Sequence, residues 1–213
     1  MANKLLSYLC VVSLGLPLAS VAAVDAQEKI LSNGLKVIVK EDHRAPVVVS
    51  QVWYKAGSMD ETNGATGVAH VLEHMMFKGT KSVPSGEFSQ RIAAAGGREN
   101  AFTNRDHTAY FQTLEKSKLE LALKLEADRM QNLVLSDAEF TKEIEVVRNE
   151  RRWRTDDKPH GMVYEQFMAA AFNAHPYRWP VIGVDIARHH QHGVVGRIPA
   201  RIPSARIARA HLF

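Results

Sequence analysis

His70-Val71-Leu72-Glu73-His74 is the stretch on which the reading of this chain turns. On a helix, residues four apart lie one above the other on a single face. His70 and His74 therefore project together, with Glu73 on the same side. Two imidazole nitrogens so placed bind one Zn²⁺ at ~2.0–2.1 Å. A nearby carboxylate that need not be a ligand can then take a proton from water and pass it to a leaving amine. Val68, Val71, Leu72, Met75 and Met76 make the same helix largely apolar. Buried polar side chains need partners, and a metal ion is the most economical one here. The competing reading is a solvated helix face.

Working outward, the segment before this helix reads as strands. Residues 28–39 place the turn dipeptide Asn33-Gly34 between apolar runs. A β-rich run from Val47-Val48-Val49 through Trp53-Tyr54 ends at Gly57, and a polar loop over 58–67 leads into a helix expected at about 65–77. After it, Ser85 is the expected cap of a second helix that carries Phe88, Ile92 and Ala95 and ends at Gly96-Gly97. Residues 99–103 and 108–114 read as a hairpin joined through Asn104-Arg105-Asp106. Leu119, Leu123, Ala127 and Met130 recur at helical spacing. A further helix starts near Ser136-Asp137, with Glu139 in the capping-box position, and runs through Phe140, Ile144 and Val147. Pro159 opens one more, ending near Phe172. Strands, helices, hairpin, helices is an α+β order: a mostly antiparallel sheet covered on one face by helices.

The two ends differ from this middle. Lys4, an apolar stretch over 9–18 and small residues at Ala19, Ala22, Ala23 and Ala26 describe a secretory signal peptide over 1–26. The apolar run is short for a bilayer span of ~20 residues, so no stable span is expected once the leader is cleaved. A retained membrane anchor is the alternative. The expected location is periplasmic or secreted. Cys10, inside the leader, is the only cysteine among 213 residues, so any metal in the mature chain must be held by His and carboxylate. Residues 186–213 form an atypical basic tail with no carboxylate, and a shifted reading frame would account for it. The formal charge of +4 resides in that tail. The stretch 27–185 is close to neutral, so no nucleic-acid partner is expected.

A third metal ligand is required, and on the residues alone Glu143, Glu145 and Glu150 are all open. His70-x-x-Glu73-His74 inverts the His-Glu-x-x-His pattern. With Glu143 and Glu150 about seventy-five residues later, it resembles the pitrilysin-type (M16) zinc metallopeptidases. The resemblance covers roughly 29–185, as the N-terminal active-site domain of a bacterial processing-peptidase-like member, and implies the α/β roll of that family with the last part of the domain missing. It implies one Zn²⁺ per chain held by His70, His74 and Glu150. It also implies Glu73 as the catalytic acid–base and Glu143 as a carboxylate that orients or tunes the site. Gly97-Arg98-Glu99-Asn100-Ala101-Phe102-Thr103 and Asp106-His107-Thr108-Ala109-Tyr110-Phe111 resemble the family's hairpin beside the metal. There an edge strand pairs with the substrate backbone, so Asn100 and Ala101 are the candidates for holding peptide. His107 reads as a strand residue rather than a ligand. His175-Pro176-Tyr177-Arg178 and Ile182-Gly183 match a further family segment.

The expected activity is zinc-dependent endopeptidase hydrolysis of short or unfolded peptides. Family members add a second domain of similar fold, so a second M16-like subunit or a homodimer is the implied partner. A catalytically silent truncated fragment, or a peptide-binding subunit needing a partner half, is the alternative. The S-ribosylhomocysteinases share the two histidines but use a cysteine ligand, and the single cysteine here is expected to leave with the signal peptide.

Overall fold

A computed structural model describes residues 26–184 and, for the backbone, 207–212. The expected leader, apart from residue 26, and the basic tail outside 207–212 lie beyond the described residues.

The first two strands, β1 (Gln27–Ile30) and β2 (Lys36–Val39), form the expected hairpin, paired antiparallel from Gln27 opposite Val39 to Ile30 opposite Lys36. The Asn33 side chain accepts the Leu35 N–H at 3.1 Å, and Gly34 takes φ +84°, which an L side chain adopts only under strain. Strand β3 (Val47–Tyr54) follows, and then helix α1 (Val68–Met75), which carries the histidines and is shorter than the expected 65–77. Helix α2 (Glu87–Ala94) begins after Gly86 at φ +80°, not after Ser85. The chain enters that helix through a left-handed residue, and glycine supplies it without a steric cost.

The hairpin β4 (Arg98–Thr103) and β5 (Thr108–Glu115) is antiparallel and in register. Helix α3 (Leu119–Asn132) and helix α4 (Asp137–Arg151) follow, the latter capped as expected by the Ser136 hydroxyl accepting the Glu139 N–H at 3.2 Å. A π-helical turn (Arg152–Asp156) leads to α5 (Pro159–Ala171), with proline in its first turn where no N–H is missed.

The sheet order is β1-β2-β6-β3-β5-β4, where β6 is Ile207–Leu212. Strand β6 pairs parallel with β2 and antiparallel with β3; the other pairs are antiparallel. The sequence carries no strand signal there, because six residues mixing Ile, Ala, Arg, His and Leu hold no contiguous apolar run. A strand flanked on both sides takes its hydrogen bonds from its neighbours, which local pattern does not record.

Two apolar clusters hold the layers. Val48, Val83, Phe88, Ile92, Leu114, Ala122 and Leu125 fill the space between the sheet and α2 and α3. Val71 and Met75 of α1 pack on Ile144 and Val147 of α4. Each of these Val, Leu, Ile, Phe and Met side chains, fully buried, contributes roughly 1.5–3 kcal/mol. The second cluster clamps α1 against α4 and so sets the site.

Candidate metal centre

Helix α1 lacks a local side-chain cap. Its first amides are met from outside the helix: the Glu61 carboxylate accepts the N–H groups of Gly67 and Ala69, both at 2.8 Å. A second constraint is steric. Gly67 (φ +95°) and Gly183 (φ +76°) touch, and a Cβ on Gly183 would lie 2.4 Å from the Gly67 Cα. Only glycine at both positions lets the 182–183 segment lie across the start of the helix, and Val181 and Ile182 there wall one side of the site.

On α4, Glu143, Val147 and Glu150 form one stripe at i, i+4 and i+7. Val147 is fully buried against α1, which presents the two glutamates on either side of it to the histidines. Among the described residues, His70, His74 and Glu150 form the one group that could hold a metal ion, each with a ligand atom within 4.8 Å of the others. Glu150 Oε2 lies 3.6 Å from His70 Nε2 and 3.4 Å from His74 Nε2. Those are long for direct hydrogen bonds. They are close to the ~3.3–3.4 Å edge of a tetrahedron whose centre lies ~2.0–2.1 Å from each donor. The donor set of two imidazoles and one carboxylate, with no thiolate, fits zinc.

The two histidines differ in protonation. His74 Nδ1 is 3.0 Å from Glu143 Oε2. A carboxylate only accepts, so the neutral imidazole carries its proton on Nδ1 and turns the Nε2 lone pair toward Glu150 and His70. Lys78 pairs with the other Glu143 oxygen, Oε1. Burial pushes His70 down to about 4, against the opposing pull of Glu150, and so keeps its ring neutral. Burial also works against the His74 imidazolium, but the Glu150 and Glu143 carboxylates outweigh it and the net direction is upward. Glu150 is lowered, with the adjacent His74 ring the first cause. His70 Nδ1 is buried without a hydrogen-bond partner.

Glu73 stands beside this group in a cleft of about 460 Å³. Burial raises its pKa, opposed by the Thr103 hydroxyl, which donates to Oε2 at 2.5 Å. Asn100, Ala101, Phe102 and Thr103 of β4 form one wall of the cleft, and β4 is an edge strand. The Ala101 N–H is taken by Asn100 Oδ1 at 2.8 Å, a bond that any added peptide strand must displace.

All seven residues singled out from sequence therefore lie at or against one cleft: six line it, and Glu143 supports His74 from behind. Glu145, the remaining candidate for third ligand, pairs with Arg148 at 2.6 Å and is not in the group. His107 is in the β4–β5 turn rather than a strand, 2.9 Å from Asn104 Nδ2, with its ring tilted 45° to that of Trp53 at 4.5 Å between centroids. Sequence reasoning missed Thr103 and Arg154. The Arg154 guanidinium lies 3.0 Å from Glu150 Oε1 and lines the cleft, and its place four residues after Glu150 on a helical segment was the available signal. Thr103 had no comparable local signal, because its partner is thirty residues away.

The chain resembles known proteins in sequence and fold. A family model described as insulinase (peptidase family M16) matches residues 36–185. The zinc protease PqqE of Helicobacter pylori is 41% identical over 180 residues, covering 84% of this chain and 40% of that protein. The crystal structure of a protease from Helicobacter pylori superposes with a TM-score of 0.80 at 35% identity, over 88% of this chain and 45% of that one. A domain from Pseudomonas fluorescens described as a peptidase M16 inactive domain gives a TM-score of 0.77 over 88% of this chain and 46% of that one; at 18% identity this likeness is one of fold alone. The chain thus spans less than half the length of these relatives.

Proposed function

The chain belongs to the insulinase-type peptidase family M16, and from that premise we propose that it is a zinc-dependent endopeptidase acting on short or unfolded peptides. The observation that carries the reading is the convergence of His70, His74 and Glu150 within 4.8 Å, in a cleft that also holds Glu73. His70 Nε2, His74 Nε2 and a Glu150 oxygen would hold one zinc ion. When bound, zinc supplies Lewis acidity that polarises a carbonyl and brings the pKa of water toward ~7.

The chain's own residues supply the rest. Glu143 keeps His74 in the tautomer that offers Nε2. Glu73, half-buried, takes a proton on the oxygen not bonded to Thr103 and returns it to the leaving amine. The free edge of β4 at Asn100 and Ala101 accepts the peptide backbone as an added strand, which gives recognition with loose side-chain preference. Asn100 Oδ1 yields the Ala101 N–H as the peptide binds.

The leader-like first 26 residues support a periplasmic or secreted location. Among the described residues no helix is long and apolar enough to cross a membrane. A second M16-like subunit, or a second copy of this chain, would close the cleft opposite β4. The second reading is a catalytically silent peptide-binding half that needs a partner.

Metal content and peptide hydrolysis, measured on the mature protein alone and with a candidate second half, separate the two. Glu73→Gln should keep about one zinc per chain and lose hydrolysis by a factor on the order of 10²–10⁴, whereas Glu150→Gln should release zinc. Equal zinc loss in both variants would refute these roles. Stoichiometric zinc without hydrolysis under any condition would favour the silent half.

A further inference from the structure

The Glu73 side chain has a single hydrogen-bond partner among the described residues, and it comes from the other wall of the cleft. Thr103, the last residue of β4, donates from Oγ1 to Glu73 Oε2 at 2.5 Å. Thr103 is held by its cross-strand pairing with Thr108 on β5. Its hydroxyl lies 3.2 Å from that of Thr108, and the Thr108 hydroxyl donates to the Ala56 carbonyl at 3.0 Å. The turn that follows is fixed by Asn104, whose Oδ1 accepts the N–H groups of Asp106 and His107, both at 2.8 Å. A threonine anchored this way has little freedom to swing from Glu73.

The chemistry of a hydroxyl suits this position. It donates to a carboxylate and can turn to accept from a carboxylic acid. An amide N–H or a lysine could only donate, and would oppose the protonated form. A group that takes up a proton and gives it back needs a neighbour that tolerates both forms. With Oε2 occupied by Thr103, Oε1 is left to exchange the proton.

We propose that Thr103 is a positioning residue for Glu73: its hydroxyl fixes the carboxylate so that one oxygen is held and the other serves the cleft. The same contact ties the end of the peptide-accepting strand β4 to the acid–base group on α1. Peptide seated on β4 is thereby registered against Glu73. This inference rests on the peptidase reading.

The test uses the full chain with Thr103→Val, which keeps the shape and removes the hydroxyl, and Thr103→Ser, which keeps the hydroxyl. In metal-free protein the carboxyl carbon resonance of Glu73, identified by its disappearance in Glu73→Gln, should move in Thr103→Val and stay near its native position in Thr103→Ser. An unmoved resonance in Thr103→Val overturns the proposal whether or not the chain hydrolyses peptides. In zinc-loaded protein, Thr103→Val should lower kcat about tenfold to a hundredfold, with KM and zinc content unchanged, and Thr103→Ser should recover most of the loss. Equal losses in the two variants, or loss accompanied by zinc release, would also overturn it. Failure of the peptidase reading shows separately, as native protein that takes up no zinc or cleaves nothing.

Discussion

Two clusters among the described residues set glutamate beside a nitrogen base, and they differ in how closely the charges are matched. In the first, Glu126 and Arg129 of α3 lie under the sheet. Arg129 donates to Glu126 at 3.2 and 2.5 Å, Gln112 Nε2 donates to the same carboxylate at 2.5 Å, and the guanidinium carbon lies 4.4 Å over Tyr110 and 4.5 Å over Phe88. In the second, Glu150 faces His70 and His74 at 3.6 and 3.4 Å, and His70 Nδ1 has no hydrogen-bond partner. The first arrangement is paired at hydrogen-bond distance and closed by aromatic rings, with Arg129 Nη1 and Gln112 Oε1 left unpartnered. The second is spaced for something between its members. Buried ionisable groups are costly unless paired, so slack pairing at a cleft is the physical mark of a site, whereas tight pairing under a sheet is the mark of structure.

The largest effect should come from breaking the closed pair. Arg129→Met leaves the Glu126 carboxylate buried without its cation, and should destabilise the fold by about 3–5 kcal/mol, read as a fall in denaturation midpoint that zinc does not restore. If the loss is small, or zinc rescues it, the two clusters are not separate systems. Loosening the open group should do less to the fold and more to the metal. Glu143→Gln weakens the partner that fixes the His74 tautomer, and zinc affinity in competition with a chelator should fall about tenfold to a hundredfold while the metal-free Tm changes little. An unchanged affinity would remove Glu143 from the site.

The smallest effect sharpens the contrast with a half-buried carboxylate. Asp128 accepts hydrogen bonds from Thr80 at 2.5 Å, Asn132 at 2.8 Å and Ser82 at 2.9 Å, and these bonds, Thr80's first, hold its pKa below the usual value. A pKa lowered on folding contributes stability that is fully present above the unfolded value, ~3.9, and is lost as pH falls through the folded one. Asp128→Asn should therefore lower Tm slightly at neutral pH, with the gap to native protein closing below about pH 4. A gap that persists into acid would mean that shape, not charge, is what Asp128 supplies.

Elements specified by near neighbours are legible in the amino-acid sequence. The Asn33-Gly34 hairpin, the Ser136 cap, the proline opening of α5 and the apolar stripe of α4 each rest on residues within a turn or two. Errors fall where the deciding partner is distant. Ser85 reads as a cap, yet the chain enters α2 through Gly86 at φ +80°. Helix α1 begins at Val68 because Glu61 and the Gly67–Gly183 contact set its start from outside. Strand β6 exists through β2 and β3, on either side of it.

The sequence by itself determined that His70, Glu73 and His74 share one helix face, since covalent geometry and the 3.6-residue turn dictate it. It also led to the expectation that any metal is held by histidine and carboxylate, the single cysteine lying in the leader-like segment. Which carboxylate meets the histidines was decided only by tertiary structure. The packing of Val147 against α1 sets the rotation of α4, brings Glu143 and Glu150 inward, and leaves Glu145 to Arg148. The pairing of Thr103 with Glu73 was settled in the same way, by β4 and α1 meeting across the cleft, a contact between segments thirty residues apart that no local pattern encodes.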